Sequence, residues 1–469
     1  MLRDIIKKEI QDNITSPKFV FTFLLCTILI LLSVYTGINN YQAELKEYNA
    51  AAALNRKNLE SQPNYPTLAQ IGVKVERPPH VLSTIVSGIQ EATGRVATVN
   101  IANDPNLIDS KYSSNPIFAV FGALDLIFIV KIVLSLFAIL FTYDAIVGEK
   151  ERGTLKLALS NKLPRDRLIL GKTIGGFVSL LIPLIIPLIL GLLIIMLYPN
   201  IVLTGDDWAR IGIIFVMFLL YLSVFFTLGL FISARTSKSS TSFLVLLFIW
   251  VIFATIIPKA SVMIARQLNP IPSVHEVTAQ KDAFLQQISA EGQEEGRKYM
   301  TEHPRPQDPE DVKKWQEDIR AWSDTYRQEL LTRIEEGNAA FERDYQAKVN
   351  GQVKLAVNLS RISPASALMF GSMSLARTGI SEHQRFLNSV RSYKPLFAEW
   401  VNPLMMRGAN FQTGEMPKPD VTDMPQHEFV PETLNQSFNR MIPDLGLLIF
   451  LIILFFVGAY VSFIKYDVR

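Results

Sequence analysis

Apolar residues in this chain are gathered into six blocks of roughly 20, and no feature constrains its fold more. They occupy 18–38, 116–145, 173–198, 211–232, 239–258 and 442–464. A helix of about 20 residues crosses about 30 Å of hydrocarbon. Backbone groups there have no water to bond, so each block must satisfy its own amides as a helix. With 49% hydrophobic and only 19% charged residues, the chain is too apolar for a soluble globule of 469 residues. The first block is longer than a leader's apolar core and lacks a small-residue cleavage site, so it is expected to stay attached.

Orientation follows from Lys and Arg in the short segments. Arg3, Lys7, Lys8 and Lys18 precede the first span. Lys150, Arg152, Lys156, Lys162, Arg165, Arg167 and Lys172 follow the second, Arg235 and Lys238 the fourth, and Lys465 and Arg469 the sixth. All fall on one side of a six-span topology, which the positive-inside rule makes cytoplasmic, together with both termini. Segments 39–115 and 259–441 then form two extracytoplasmic domains.

The net charge of +3 carries no concentrated basic patch interleaved with aromatics, so nucleic acid is not an expected partner. The single cysteine, Cys26, lies within the first span and reads as a buried small apolar residue, which excludes disulfides from the external segments. His80, His275, His303, His383 and His427 have no ligand spacing, and neither a metal nor a cofactor is expected in this chain.

The larger external segment reads as mainly helical. Ser273 and Glu276 form a capping box that opens a helix running to about His303. Pro304 to Pro309 breaks it, and Asp308-Pro309-Glu310-Asp311 starts a second helix. Apolar residues from Val312 through Trp315, Trp322, Tyr326, Leu330 and Phe341 to Val349 keep one helical face. The pair predicts an antiparallel hairpin with the aromatic stripe as its core. Residues 362–376, too short and polar to span, predict a helix at the outer membrane surface or on the bundle top, with Phe386, Leu387, Tyr393 and Trp400 continuing that contact. In 39–115 the prolines 63, 66, 78 and 79 break any long helix and 96–101 suits a short strand, giving a small mixed α/β domain.

Phosphate chemistry is absent. A P-loop requires Gly-Lys-Ser/Thr after its glycine; Gly148–Thr154 reads GEKERGT and lacks the lysine after Gly153, so the chain should not hydrolyse ATP. No Gly-x-Ser-x-Gly elbow and no His-Glu-x-x-His pair occurs. Within the second span, Asp125 and Lys131 are charges where charge is costly. Six residues apart, they do not face each other on one straight helix. Two readings stay open: a substrate-path or interhelical role, or a snorkelling lysine with an aspartate at the membrane edge. Pro183 and Pro187 predict a kink in the third span. Residues 1–17, with Leu2, Ile5, Ile6 and Ile10 on one face, predict an amphipathic interface helix.

The stretch leaving the second span, DAIVGEKERGTLKLALS from Asp144 to Ser160, resembles the signature of ABC-2-type export permeases. The matching positions are Gly148, Glu149, Glu151, Gly153, Thr154 and Leu155, then Arg167, Leu170, Gly171 and Lys172. Arg77-Pro78-Pro79, the run from Asn115 to Ser135, and Leu359 to Pro364 are similar to one branch, the permeases with enlarged external domains that include nitrous-oxide-reductase maturation permeases. The resemblance implies a permease subunit in a prokaryotic cytoplasmic membrane, working as a homodimer with an ABC ATPase that binds ATP and Mg, surrounded by membrane lipid. It also implies that 146–172 is the coupling segment. Glu149, Lys150, Glu151 and Arg152 would pair with the ATPase between Gly148 and Gly153, with Leu155, Leu157 and Leu159 as apolar contacts. A solvated turn obeying only the positive-inside rule is the bland alternative. A different function class, a mechanotransmitter that works an extracytoplasmic protein partner without moving a solute, also stays open; a membrane-embedded enzyme lacks the clustered carboxylates or histidines it would need.

Overall fold

Ser16 starts the first long helix: its hydroxyl accepts from the Phe19 amide and Pro17 fills the first helical position, where a missing N–H costs nothing. The computed structural model describes residues 2–90, 92–101, 105, 107–108, 124–160, 164–405 and 417–466. A short helix α1 (Leu2–Ile14) precedes α2 (Pro17–Glu60), whose 44 residues are twice what a bilayer needs. Its far half carries the chain to α3 (Tyr65–Ile71) and an antiparallel sheet of β1 (Val73–Glu76), β2 (Val96–Val99) and β3 (Leu107–Ile108), in the order β1-β2-β3. Val73 pairs with Val99 and Val96 with Ile108.

The second span is α4 (Leu126–Phe128), a π-helical turn over Ile129–Leu134, and α5 (Ser135–Thr142). Two short helices follow, α6 (Val147–Glu151) and α7 (Thr154–Ser160). The third span, α8 (Arg165–Leu197), runs on through Pro183 and Pro187. The fourth, α9 (Gly205–Arg235), opens on a capping box between Thr204 and Asp207. The fifth joins α10 (Ser239–Val251), a π-helical turn over Ile252–Ile256, and α11 (Ile257–Leu268). After α12 (Val274–Glu302), α13 (Pro309–Ser360), α14 (Pro364–Leu375) and α15 (Ile380–Val401), the sixth span is α16 (Leu434–Ile464). Among the described residues, six helices are long and apolar enough to cross a membrane, in the order the sequence predicts.

The centre of the bundle is α9. Phe218, Tyr221, Phe225 and Phe226 are all buried there, against α5, α14 and α16. Small residues set the close approaches, as expected where lipid supplies no hydrophobic drive between helices. A Cβ on Gly229 would lie 1.8 Å from Thr142 Oγ1, and one on Gly37 would lie 2.1 Å from the Thr84 carbonyl oxygen. Of the two placements open to 362–376, α14 takes the packed one: Ala365, Ala367, Leu368 and Gly371 are buried in the bundle. Near the start of α9, the fully buried Arg210 donates to Asp206 (2.7 Å), Ser437 (3.1 Å) and the carbonyls of Leu375 and Glu432.

The predicted division of the external segments into two separate domains is corrected. Phe386, Val390, Tyr393, Phe397 and Val401 form one face of α15 and share a core with Tyr65, Leu68, Val73, Val75 and Val99. The helix buries its apolar stripe on the sheet, so Phe386 and Tyr393 serve that core instead of a membrane surface. Leu387 is half-buried, and Trp400 packs against the same core.

Residues 258–360 form a separate compact unit, which contains the predicted hairpin. The Ser273–Glu276 capping box is present, and α13 starts at Pro309. Tyr299 stacks on Trp322 with centroids 4.1 Å apart, Phe284 meets Phe341 edge-on at 5.7 Å, and Arg333 bridges Glu291 at 2.8 Å. The aromatic stripe is therefore the hairpin's own core. Gly337 is glycine because Phe284 fills its side-chain space: a Cβ would lie 2.2 Å from the ring.

Candidate functional site

The segment after the second span folds as a hinge built on one glycine. Gly153 sits at φ 73°, a conformation that favours glycine, with no atom within 4 Å of its missing Cβ. It separates the single turn of α6 from α7. The buried peptide nitrogens of Ile146 and Val147, at the start of α6 where the helix itself offers them no acceptor, both donate to Ser233 Oγ at 3.1 Å.

Each charged side chain on α6 reaches a different helix. Glu149 Oε1 lies 2.7 Å from Lys172 Nζ, and Lys172 also donates to Glu9 Oε2 at 3.3 Å. Lys172 is almost wholly buried, so the hinge, the first turns of the third span and α1 meet on one enclosed ammonium. Burial raises the Glu9 carboxyl above its ordinary range, with Lys172 opposing that and Glu149 adding to it. Lys150 Nζ donates to the carbonyls of Ala234 and Thr236 at the end of α9 and lies 4.5 Å above the Tyr466 ring. Glu151 accepts from the amide and hydroxyl of Ser239, the first residue of α10. At the span's edge, Lys18 bridges Asp144 at 2.8 Å, and Arg165 donates to the carbonyls of Ile464 (2.6 Å) and Tyr466 (2.8 Å).

Packing reinforces this clasp. A Cβ on Gly171 would sit 2.5 Å from Ile5, and one on Gly175 would sit 2.8 Å from Glu9 Cβ, so the two glycines let α1 lie directly on α8. The apolar face predicted for α1 is thus occupied by Gly171 and its neighbours.

The predicted site residues divide accordingly. Gly148, Glu149, Lys150 and Glu151 lie on α6, with Glu149, Lys150 and Glu151 bonded within the chain; Thr154 donates to the Glu149 carbonyl at 3.3 Å. Arg152 is exposed, as are Lys156 and Leu157, the last with 67% of its surface open. Leu155 is buried in the bundle core, and the side chain of Leu159 lies outside the described residues. Asp125 and Lys131 are elsewhere. Asp125 caps the second span by accepting from the Phe128 amide at 2.9 Å, and Lys131 lies within the π-helical turn, its carbonyl accepting from Tyr221. Among 102–123, only 105, 107 and 108 are described, so the predicted span start at 116 lies outside the described residues. Sequence reasoning missed Glu9, Ser233, Ser239 and Tyr466, which come from distant segments and carry no local signal.

The profile described as "ABC-2 family transporter protein" matches residues 3–468. The chain belongs to the ABC-2 transporter family. It is also similar to two proteins named "Probable ABC transporter permease protein NosY". The one from Pseudomonas aeruginosa is 34% identical over 131 residues, 27% of this chain and 46% of that protein. The one from Stutzerimonas stutzeri is 30% identical over 123 residues, 26% of this chain and 45% of that protein. The chain spans about half the length of the curated relatives it matches. As an ABC-2 permease it is a multi-pass membrane protein, mostly helical, and permeases of this kind work with an ATPase subunit.

Proposed function

We propose that this chain is the membrane-spanning subunit of an ATP-driven exporter and that a separate ATPase engages it at the hinge 144–160. The supporting observation is a division of labour along the hinge. Glu149, Lys150 and Glu151 bind it to α1 and α8, to the end of α9 and to the start of α10, while Arg152, Lys156 and Leu157 remain exposed beside Gly153. A body pressing on the exposed part moves four helices through charge-assisted bonds, enclosed at Lys172 and exposed at Glu151. The companion supplies ATP and Mg2+ binding, two copies of each subunit assemble, and the hinge faces the cytoplasm. The test is ATP hydrolysis by the complex isolated from native membranes. Glu149→Ala and Glu151→Ala should keep the spans inserted and the ATPase bound while permease-stimulated turnover falls severalfold. Stimulation equal to wild type in both variants overturns the assignment.

A further inference from the structure

Among the described residues, two π-helical turns interrupt the spans, at Ile129–Leu134 in the second and Ile252–Ile256 in the fifth. A π turn holds one residue more than the α-helix around it and leaves a carbonyl without its usual partner. Both turns have carbonyls met by side-chain hydroxyls, Ser135 from the same span and Tyr221 and Ser363 from elsewhere in the bundle. The Lys131 carbonyl accepts from Ser135 Oγ (2.5 Å) and Tyr221 Oη (2.8 Å), and Ser135 and Tyr221 are both fully buried. The Phe253 carbonyl accepts from Ser363 Oγ, which also caps α14 by accepting from the amides of Ala365 (3.1 Å) and Ser366 (3.4 Å).

The two turns are also joined to each other. Trp250 Nε1, just before the second π turn, donates to Ser135 Oγ at 2.8 Å, the hydroxyl that caps the first. A chain of side-chain bonds therefore runs from Tyr221 on α9 through the Lys131 carbonyl, Ser135 and Trp250 to the fifth span. The second span leads straight into the hinge, and the fifth begins at Ser239, which binds Glu151 of the hinge.

We propose that these paired π turns are the register-shift device of the bundle: the extra residue in each span migrates along its helix when the hinge is pushed, and the Ser135–Trp250 bond makes the two shifts concerted. When a π turn moves, the residues it passes rotate by about 100° and advance by about 1.5 Å, without breaking the helix on either side. Side-chain hydroxyls suit this role because they can release one carbonyl and cap its neighbour. The inference rests on the proposed ATPase engagement at the hinge.

The test uses the full complex with its ATPase, reconstituted in lipid nanodiscs. Spin labels are placed at Leu136→Cys, on the hinge side of the first π turn, and at Val216→Cys on α9, in a Cys26→Ser background. ATP should change the label separation by several ångströms. Deleting Ile132, which converts the π turn to α-helix, should abolish that change and lower stimulated ATP hydrolysis at least fivefold while the ATPase still co-purifies. If the deletion fails to insert, the pair Ser135→Ala and Tyr221→Phe, which removes the caps, should give the same loss. An ATP-insensitive separation in a wild-type complex whose ATPase is stimulated overturns the inference alone; so does an unchanged response in the deletion or cap variants. Failure of the ATPase to associate overturns the functional assignment and this inference with it.

Discussion

Lys172, enclosed at the start of the third span, holds Glu149 of the hinge at 2.7 Å and Glu9 of the N-terminal helix at 3.3 Å. Breaking a buried ion pair from one side typically costs about 3–5 kcal/mol, because the remaining charge stays buried. Glu9 and Glu149 are partly exposed, so Lys172→Met should cost about 2–3 kcal/mol, read as a fall in melting temperature in detergent. It should also uncouple ATP hydrolysis from the permease. Lys172→Arg should restore more stability than coupling, since its longer planar fork displaces α1.

Gly153 tests the hinge without touching any neighbour. Gly153→Ala adds a methyl to open space but forces an L residue to φ 73°, costing about 1–2 kcal/mol of local strain. Stimulated ATP hydrolysis should fall by more than that modest stability loss explains, with the spans still inserted. Gly153→Asn, which tolerates that conformation better, should retain more activity than the alanine variant.

Leu155 and Leu157, two positions apart, should separate stability from docking. Leu155 is 1% exposed and Leu157 is 67% exposed. Leu155→Ala should destabilise the protein by about 2–4 kcal/mol through the cavity it leaves. Leu157→Asp should leave the melting temperature within error and weaken ATPase association in pull-down. The reverse pattern would show that the hinge is packed differently.

Acid should destabilise the sheet domain through His383. Burial, with Arg77 adding repulsion, lowers its pKa to about 4 from an ordinary value near 6.5. The unfolded chain therefore binds a proton first as pH falls. The stability from keeping His383 neutral is present in full above about pH 6.5 and is lost between there and about pH 4, by no more than about 3 kcal/mol. His383→Asn should flatten the stability profile across that window, measured by hydrogen exchange of the β1 and β2 amides.

Much of this architecture is legible in the sequence because its signals are local. Apolar length gives the six spans, and the Ser273–Glu276 capping box and the Asp308-Pro309 pair give the starts of α12 and α13. What stays hidden depends on residues far apart in the chain. The joint core of α15 and the sheet brings Val73 and Val99 to Phe386 and Phe397, and helical periodicity cannot say which surface a stripe will cover. The hinge motif is visible as a pattern of charge between glycines. Its internal bonding is not, because Glu9, Ser233 and Ser239 are ordinary polar residues until the fold brings them to Lys172, the Ile146 amide and Glu151. The π turns are equally silent, since Ile129–Leu134 and Ile252–Ile256 read as uninterrupted apolar helix.

Photocrosslinking from the hinge tests the central claim most directly. With a photoreactive residue replacing Leu157 in the native membrane complex, the account predicts a crosslink to an ATP-hydrolysing subunit, and none from the same residue placed at Leu54 on the far half of α2. A complex that retains the ATPase yet yields no adduct from position 157 would contradict it.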